Sequence, residues 1–382
     1  MPIDLDNMEE MFAASTDLTV GLEEEFAVLD PLTLDLVPRF EELRDAAAEL
    51  DKVLHEAITG ELISSEIEIV SGRGEDLHDA IAHQRDRRRR LLHLAGKRGV
   101  ALGSTGTHPW ADYREQRNID TEHYRRVVDG LGYVARRNNT FSLHVHVGVR
   151  GADRAVQVCD RLRPVLPLLL AVSASSPFLE GQDTLLHSAR SQIFTKSFPR
   201  CGVPDAFGDW RAFREYLELL IDTGSIVEYT QVWFSIRPHA SFGTVEVRIC
   251  DAQITAAESE GLASLIVACV GQAMRDIDEG VAFEHPPHRL IEENMWRAIR
   301  HGVDGRMIDL RSGTELPTRA AIDALWAWTA PARETSRIDV ALDGPNGAQR
   351  QRAALLEGAD LREVYADTVR ETMTTYAQEV PA

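Results

Sequence analysis

The stretch GLEEEFAVLD, which spans 21–30, places three consecutive glutamates inside a segment that otherwise has the pattern of a β-strand. Residues two positions apart in a strand share one face of the sheet. Glu23 and Glu25 therefore lie on one side of the predicted strand, and Glu24 lies on the other side with Phe26. The spacing predicts a strand with one largely apolar face and one acidic face.

Four later segments have the same alternation of polar and apolar residues. A sheet with one dry and one polar face is typical of antiparallel strands, whereas parallel strands buried on both faces form continuous apolar runs. We therefore predict an antiparallel or mixed sheet. The polar residues of these segments are Glu66 and Glu68 in SSEIEIVSG, His144 and His146 in SLHVHVGV, Gln231, Trp233, Ser235 and Arg237 in TQVWFSIRPH, and Glu246 and Arg248 in TVEVRIC.

Helical periodicity separates the predicted strands, which indicates an α+β class with helices behind the sheet. Thr255 and Glu258 form the capping-box pattern at the start of one strongly apolar helix. The basic run RDRRRR, at 85–90, continues another helical pattern, and we interpret it as a solvated helix face. Helices are predicted at about 41–50, 75–98, 119–131, 153–175, 209–222 and 255–280, and over much of the chain after 285.

The composition indicates a globular chain and excludes two classes of partner. The 382 residues are 44% apolar and show no linker or repeat, so we expect a single domain over 1–382, with a core at about 17–315 and a C-terminal helical region at about 316–380. The net charge of −20 argues against nucleic-acid binding, because such proteins present basic surfaces to phosphates. No apolar run reaches the roughly 20 residues of a bilayer span, so we expect no membrane partner.

Cysteine usage and the N-terminal segment indicate a compartment. The four cysteines are widely spaced and form no CxxC pair, which favours a reducing environment. The first residues lack the basic and apolar regions of a secretory signal. We therefore expect a cytoplasmic protein whose partners are small molecules, and we leave a homo-oligomeric state open.

The concentration of carboxylates on the polar face predicts a divalent-metal site. Taken singly, each polar pair is more often solvated surface than a site, but five agreeing segments favour a site. If Glu23, Glu25, Glu68 and Glu246 converge, each close pair repels by about 4 kcal/mol at about 4 Å, so cations are required. Ligands dominated by oxygen suit Mg²⁺ or Mn²⁺, although the HVH pair alone also suits zinc.

Arginines on the same face indicate an anionic substrate. Arg237 and Arg248 lie on predicted site strands, and arginine binds carboxylate and phosphate through planar paired contacts. Acids, a divalent metal and arginine together point to phosphoryl transfer. The chain has neither a Walker A motif nor GxGxxG between a strand and a helix, and GSTGTHP at 103–109 is equally a tight turn or a phosphate cradle. We therefore expect ATP to bind through metals held by the sheet.

The order and spacing of several motifs resemble the type 2 glutamate–cysteine ligase family, specifically its carboxylate–amine ligase branch. The likeness extends from about residue 17 to beyond 310. It implies a glutamine-synthetase-like fold, with a curved antiparallel sheet forming a cup that holds ATP and two or three Mg²⁺ ions. The motifs are GLEEEF, ISSEIEIVSG, GSTGTHPW, HVHVGV, HSARSQIF, IRPHASFGTVEVRICD and ENMWRAIRHGVDGRMIDL.

The resemblance also implies residue roles. Arg248 is expected to face the transferring phosphate, and His146 to contact substrate or nucleotide. Arg237 and Arg190 are expected to anchor the substrate carboxylate, and Glu66 has no counterpart in the family pattern. No residue is identified for the adenine. The implied metal ligands are Glu23, Glu25, Glu68, His144 and Glu246.

The implied function is an ATP-dependent carboxylate–amine ligase that forms an amide from the glutamate γ-carboxylate through an acyl phosphate. Cysteine is the default amine, with weak glutamate–cysteine ligase activity expected in this branch, and another amine remains open. One alternative is a metal-dependent amide hydrolase or guanidino-type phosphotransferase on the same fold. A catalytically silent binding protein is a third reading, and the complete set of acids argues against it.

Overall fold

The computed structural model describes residues 4–339, 342 and 344–377. The predicted C-terminal helical region, about 316–380, thus ends outside the described residues. The expectation that the chain forms a single domain stays a prediction. The strands are β1 (Val20–Leu29), β2 (Ile58–Thr59), β3 (Glu66–Val70), β4 (Ala101–Gly103), β5 (Ser142–Gly148), β6 (Phe178–Leu179), β7 (Gln182–Asp183), β8 (Cys201–Gly202), β9 (Trp233–Phe234), β10 (Ile236–His239), β11 (Thr244–Asp251), β12 (Arg306–Ile308) and β13 (Glu315–Pro317).

The helices surround these strands in the sequence. They are α1 (Leu5–Ala13), α2 (Phe40–Leu50), α3 (Lys52–Ala57), α4 (Leu77–Lys97), α5 (Glu122–Leu131), α6 (Tyr133–Arg136), α7 (Ala152–Leu162), α8 (Leu166–Ser173), α9 (Ala189–Ser197), α10 (Trp210–Asp222), α11 (Ala256–Asp278), α12 (His288–His301), α13 (Thr318–Ser336), α14 (Gly347–Leu356) and α15 (Leu361–Thr375). Short 3₁₀ turns lie at Tyr113–Glu115, Arg163–Val165, Tyr229–Gln231 and Gly302–Asp304.

One antiparallel sheet organises the molecule. Its strand order is β10, β11, β5, β1, β3, β2, and β4 pairs with the far end of β1. Every pairing in this sheet is antiparallel, which confirms the predicted α+β class with an antiparallel sheet. The acidic strand β1 is central, so neighbouring strands bring their polar side chains to it from both sides.

The register of the sheet aligns the predicted polar residues on one face. Glu25 lies opposite Glu68 across the β1–β3 pair. Glu23 lies opposite His144 across the β1–β5 pair. His146 lies opposite Glu246 in the next pair, and Glu246 in turn lies opposite Arg237. Because residues directly opposite each other share a face, residues from five strands meet in adjacent rows.

The other face of the sheet is the main dry layer. Leu143, Val145 and Val147 of β5 are at most 1% exposed, and they belong to the largest hydrophobic cluster. Helices α7, α8 and α11 pack against β10, β11 and β5, and α4 packs against β1 and β3. This packing fixes the strands from behind and leaves the polar face free to form a site.

A buried ion pair crosses the dry layer behind β1. Arg88 of α4 is 1% exposed, and its Nε and Nη2 donate to the Glu24 carboxylate at 2.7 and 2.5 Å. Its Nη1 also donates to Glu260 of α11 at 2.7 Å. The interpretation of RDRRRR as a solvated face is therefore wrong at Arg88. The physical reason is that Glu24 occupies the dry face of β1, where a carboxylate needs a cation.

Two elements that the sequence predicts as continuous are each broken into shorter elements in the structure. The single helix expected at 153–175 is α7, a 3₁₀ turn and α8, because Pro164 lacks the N–H that would continue the α7 ladder. The strand expected in TQVWFSIRPH is also broken: β9 pairs in parallel with β8, and only β10 joins the main sheet. The capping box of Thr255 and Glu258 is confirmed, with reciprocal bonds at the start of α11.

The helices in the described part of the chain include no candidate for crossing a bilayer, because none combines the required length with sufficient apolar character.

The pair behind β1 gives a stability prediction. Arg88→Met is expected to lower the free energy of unfolding by about 3–5 kcal/mol, because it leaves the Glu24 carboxylate buried without its cation. Urea denaturation followed by circular dichroism measures the change. Arg89→Met is the matched control: Arg89 is 40% exposed and pairs with Asp86, so its loss should cost at most about 1 kcal/mol. Equal unfolding midpoints for Arg88→Met and the wild type would contradict this account.

Candidate active site

The polar face of the sheet gathers the predicted acids and imidazoles into three overlapping groupings. Within each grouping, one potential ligand atom from every residue lies within 4.8 Å of the others. The sequence-predicted residues Glu23, Glu25, Glu68, His144, His146 and Glu246 are all brought together. The groupings are Glu23 with Glu68 and His144, Glu23 with His146 and Glu246, and Glu25 with Glu61 and Glu68.

Glu23 connects two of these groupings. Its Oε2 lies 2.9 Å from His144 Nδ1, and its Oε1 lies 3.0 Å from His146 Nε2. Burial favours the neutral acid, but His146 and His144 outweigh it and hold the pKa of Glu23 well below its usual value. The carboxylate is therefore ionised at neutral pH and presents both oxygens at the centre of the face.

The two imidazoles differ in electrostatic setting. Burial and the nearby Arg248 guanidinium lower the pKa of His144, so its ring is neutral at physiological pH and can act as a ligand. For His146, burial is outweighed by Glu23 and Glu246, which raise its pKa. A second bond orients each ring: His144 Nε2 lies 2.8 Å from Ser142 Oγ, and His146 Nδ1 lies 3.0 Å from Thr244 Oγ1.

A second concentration of acid lies where β1 meets β3. Burial and neighbouring carboxylates raise the pKa values of Glu66 and Glu68 well above the usual range and that of Glu61 to about 8. The Glu66 Oε2 atom is buried and makes no hydrogen bond within the described residues. Glu25 accepts a bond from the Ser142 N–H at 2.5 Å. Without a cation, this end of the site holds more negative charge than it can keep ionised.

Glu61 is the acid that sequence reasoning missed. It lies between β2 and β3, in a segment without the period of two that marked the other site residues. Its carboxylate nevertheless joins the grouping of Glu25 and Glu68. In the sequence, Glu61 is marked only by its position five residues before Glu66. This position does not predict the direction in which the loop points the Glu61 side chain.

Two arginines hold Glu246, which lies on β11. Arg237 Nε donates to its Oε2 at 2.5 Å, and Arg248 Nη1 donates to its Oε1. Although burial opposes ionisation, these guanidinium groups keep the pKa of Glu246 well below its usual value. Arg237 also donates to the Val232 carbonyl at 2.6 Å. Its guanidinium is thus engaged by the protein, and its predicted role as a carboxylate anchor stays a prediction.

Arg190 supports the strand that carries Arg248. From the start of α9 it donates to the carbonyls of Ile249 and Arg248 at 3.0 and 3.2 Å. These carbonyls lie where the β5–β11 register shifts between Val247 and Cys250. A bulge leaves carbonyls without ladder partners, and the guanidinium satisfies them. The Nε atoms of Arg190 and Arg248 are buried without a hydrogen-bond partner among the described residues.

Two pockets open on opposite ends of the acidic face. The first, which we call the arginine pocket, has a volume of about 100 Å³ and is lined in part by Glu25, Glu66, Arg190 and Arg248. The second, the apolar pocket, has a volume of about 510 Å³. Its walls include Met11, Val20, Gly21, Glu23, His146 and Phe242. Glu25 lines the arginine pocket and Glu23 lines the apolar pocket. These two glutamates are two positions apart on β1, so the potential metal ligands lie where the two pockets approach each other.

The excess acid gives a prediction for the metal-free protein. Glu61 has a pKa of about 8 in the folded chain and near 4.5 in the unfolded chain. Its contribution to the free energy of unfolding is therefore complete below pH 4.5 and is lost as the pH rises towards 8. Glu61→Gln should therefore gain stability relative to wild type between these values, measured by thermal unfolding in EDTA. Glu56→Gln, at a 66% exposed glutamate, should show no such gain. A difference between Glu61→Gln and wild type that is constant with pH would contradict the raised pKa.

Comparison with known proteins supports one family over nearly the whole chain. The model of "Glutamate-cysteine ligase family 2" matches residues 19–345. A protein of Rubrobacter xylanophilus, provisionally named glutamate–cysteine ligase 2-2, is 38% identical over 95% of this chain and 94% of its own length. A provisionally named glutamate–cysteine ligase 2 of Solibacter usitatus is 36% identical over 96% of each chain.

Solved structures share the fold at low sequence identity. A glutamate–cysteine ligase of Francisella tularensis, in complex with AMP, aligns with a TM-score of 0.69 and 12% identity, covering 95% of this chain and 91% of that one. A bifunctional glutathione synthetase of Pasteurella multocida gives 0.65 and 11% identity over 97% of this chain and 54% of its own. These structures support the predicted fold, and the sequence matches confirm the family expected from the motifs: the chain belongs to glutamate–cysteine ligase family 2.

Proposed function

We propose that this protein is an ATP-dependent ligase that joins the γ-carboxylate of glutamate to an amine and converts ATP to ADP and phosphate. The observation that carries the proposal is the overlap of three carboxylate and imidazole groupings beside two arginines on one sheet face. Membership of a glutamate–cysteine ligase family supports the C–N bond-forming class. The names of the relatives support glutamate and cysteine as default substrates.

Mg²⁺ is the metal that the site fits best. Carboxylate oxygens dominate the three groupings, and no described cysteine belongs to any of them. We assign as ligands Glu23, Glu25, Glu68, His144 and Glu246, with Glu61 and His146 as further candidates. Mn²⁺ has the same preference for oxygen. Bound here, the ion would neutralise phosphate charge and relieve the repulsion between the acids.

The two pockets suggest where the substrates bind. The apolar pocket has the size of a cofactor site, and the Phe242 ring at its wall is 59% exposed and able to stack on a base. We assign the nucleoside to this pocket. The arginine pocket, which combines acid and guanidinium groups, is assigned to the amino-acid substrates. The AMP held by the Francisella tularensis ligase supports an adenine nucleotide as one of the ligands.

The reaction follows from this arrangement. A glutamate carboxylate oxygen attacks the γ-phosphorus of ATP, the bond to the β-phosphate oxygen breaks, and an acyl phosphate and ADP result. The neutral amine, having lost one proton to solvent, then attacks the acyl carbon. The C–N bond forms, the C–O bond to phosphate breaks, and a second nitrogen proton leaves with the phosphate. We assign to Arg248, which is hydrogen-bonded to Glu246, the role of stabilising the charge of the transferring group.

We also propose a cytoplasmic location. All four cysteines are free thiols in the structure, and Cys159, Cys250 and Cys269 are buried. Reduced cysteines are typical of proteins kept in a reducing compartment. Consumption of ATP is in keeping with this location.

An assay of product formation tests the function directly. Purified protein is incubated with ATP, Mg²⁺ and glutamate, with hydroxylamine as a small amine, and the γ-glutamyl hydroxamate is measured together with ADP. We expect hydroxamate and ADP in equal amounts, both dependent on glutamate. ADP release that needs no amine and gives no hydroxamate would contradict the ligase and favour a hydrolase.

A single substitution tests the proposed ligands. Glu25→Gln is expected to lower kcat for the hydroxamate by at least about 100-fold, because it removes a charged oxygen from the acid end of the site. Circular dichroism should show a native fold, since the change reduces repulsion among buried acids. Glu56→Gln, at an exposed position on α3, should keep wild-type kcat. Wild-type kcat in Glu25→Gln would overturn the assignment of Glu25.

A further inference from the structure

Three aromatic side chains form one wall of the arginine pocket. Phe194 comes from α9, Phe198 follows the end of that helix, and Trp233 lies on β9. The ring centroids of Phe194 and Phe198 are 4.9 Å apart, and those of Phe198 and Trp233 are 5.9 Å apart. Phe198 thus contacts both other rings, and the three side chains form a continuous apolar surface.

This wall lies outside the contiguous hydrophobic clusters of the interior. Among the described residues, those clusters include none of Phe194, Phe198 and Trp233. Phe198 is nevertheless a buried side chain, with 7% of its surface exposed. Three large rings that line a cavity outside these clusters are in place to contact a ligand.

The wall has a fixed backbone. β9 pairs in parallel with β8, which places Trp233 opposite Cys201. The Arg200 guanidinium lies 5.6 Å from the Trp233 ring centroid, and Arg200 Nε donates to the Gln231 carbonyl at 3.0 Å. Two hydrogen-bonded segments therefore hold the indole at the pocket before any substrate enters. Such preorganisation favours selective binding.

An acidic wall of the same pocket suits an amine. Glu66 lies there with Glu25 and Glu61, and its buried Oε2 makes no hydrogen bond to any described residue. Glu66 also belongs to none of the metal-ligand groupings formed by the described chain. A buried carboxyl oxygen without a donor is costly, and an N–H group of an incoming amine would satisfy it.

Together these walls define the amine that the pocket fits. We propose that the acceptor is a primary amine with an aromatic side chain, whose nitrogen binds at Glu66 and whose ring packs against the wall of Phe194, Phe198 and Trp233. The inference rests on the proposed ligase function and narrows its substrate class. Cysteine has a short side chain and would leave the aromatic wall largely unused, which accounts for the expected weakness of a glutamate–cysteine activity.

Matched amine pairs test the proposal. The full-length protein with ATP, Mg²⁺ and glutamate is given 2-phenylethylamine or ethylamine, which differ only in the phenyl group, and L-phenylalanine or L-alanine. Amide formation is followed by mass spectrometry, with hydroxylamine as the reference acceptor. We expect kcat/KM for each aromatic amine to exceed that of its small partner and that of cysteine by at least about tenfold.

Variants connect the preference to the wall. Trp233→Ala and, as a second variant, Phe194→Ala should each lower the aromatic-to-small ratio of kcat/KM at least about fivefold, mainly through KM. Trp296→Ala is the control, because Trp296 is 45% exposed on α12 and lines neither pocket, and it should keep the wild-type ratio.

The outcomes separate the inference from the function on which it rests. Absence of hydroxamate would overturn the ligase and the inference with it. Hydroxamate formation with no preference for aromatic amines would overturn the inference alone. A preference that survives in both wall variants would show that another part of the site recognises the ring, and would equally overturn this assignment.

Discussion

Repulsion between buried carboxylates is the constraint on which the rest of the structure depends. β1 carries three consecutive glutamates, and the sheet directs Glu23 and Glu25 to one side and Glu24 to the other. Each side solves the charge problem differently. Behind the sheet, Arg88 neutralises Glu24 with a protein cation. On the polar face, the histidines and Arg248 neutralise only part of the carboxylate charge, and the acids near β3 keep raised pKa values.

The two faces of β1 therefore differ in whether their carboxylates are already neutralised by protein cations. A carboxylate paired with a protein guanidinium contributes to the fold and is closed to ligands, as Glu24 is. A cluster without enough protein cations remains open to an added cation, in keeping with the general tendency of perturbed pKa values to concentrate at functional sites. Glu246 combines both conditions, because two arginines hold it while one oxygen still belongs to a potential ligand grouping.

Strand periodicity made much of this site predictable, and its absence explains what was missed. Pairs two residues apart placed His144 and His146 on one face, and antiparallel pairing then brought them to Glu23 and Glu246. Glu61 escaped because a loop has no period from which a direction can be read. The misreading of Arg88 has a related cause: a helix pattern shows which arginines share a face, but the need for a buried cation arises on a distant strand. The aromatic wall depends on the β8–β9 pairing, which no local pattern indicates.

The cover of the dry side of β1 includes a residue that lies far along the chain from this strand. The Tyr376 ring lies 4.7 Å from the Arg88 guanidinium and 5.4 Å from the Phe26 ring, edge to face. Residues 26 and 376 are therefore neighbours in space although about 350 positions separate them in the sequence. During synthesis the acidic strand leaves the ribosome well before the segment that covers it. Contacts of such long range slow folding, so the nascent chain carries an incompletely covered acidic strand until residue 376 has been made.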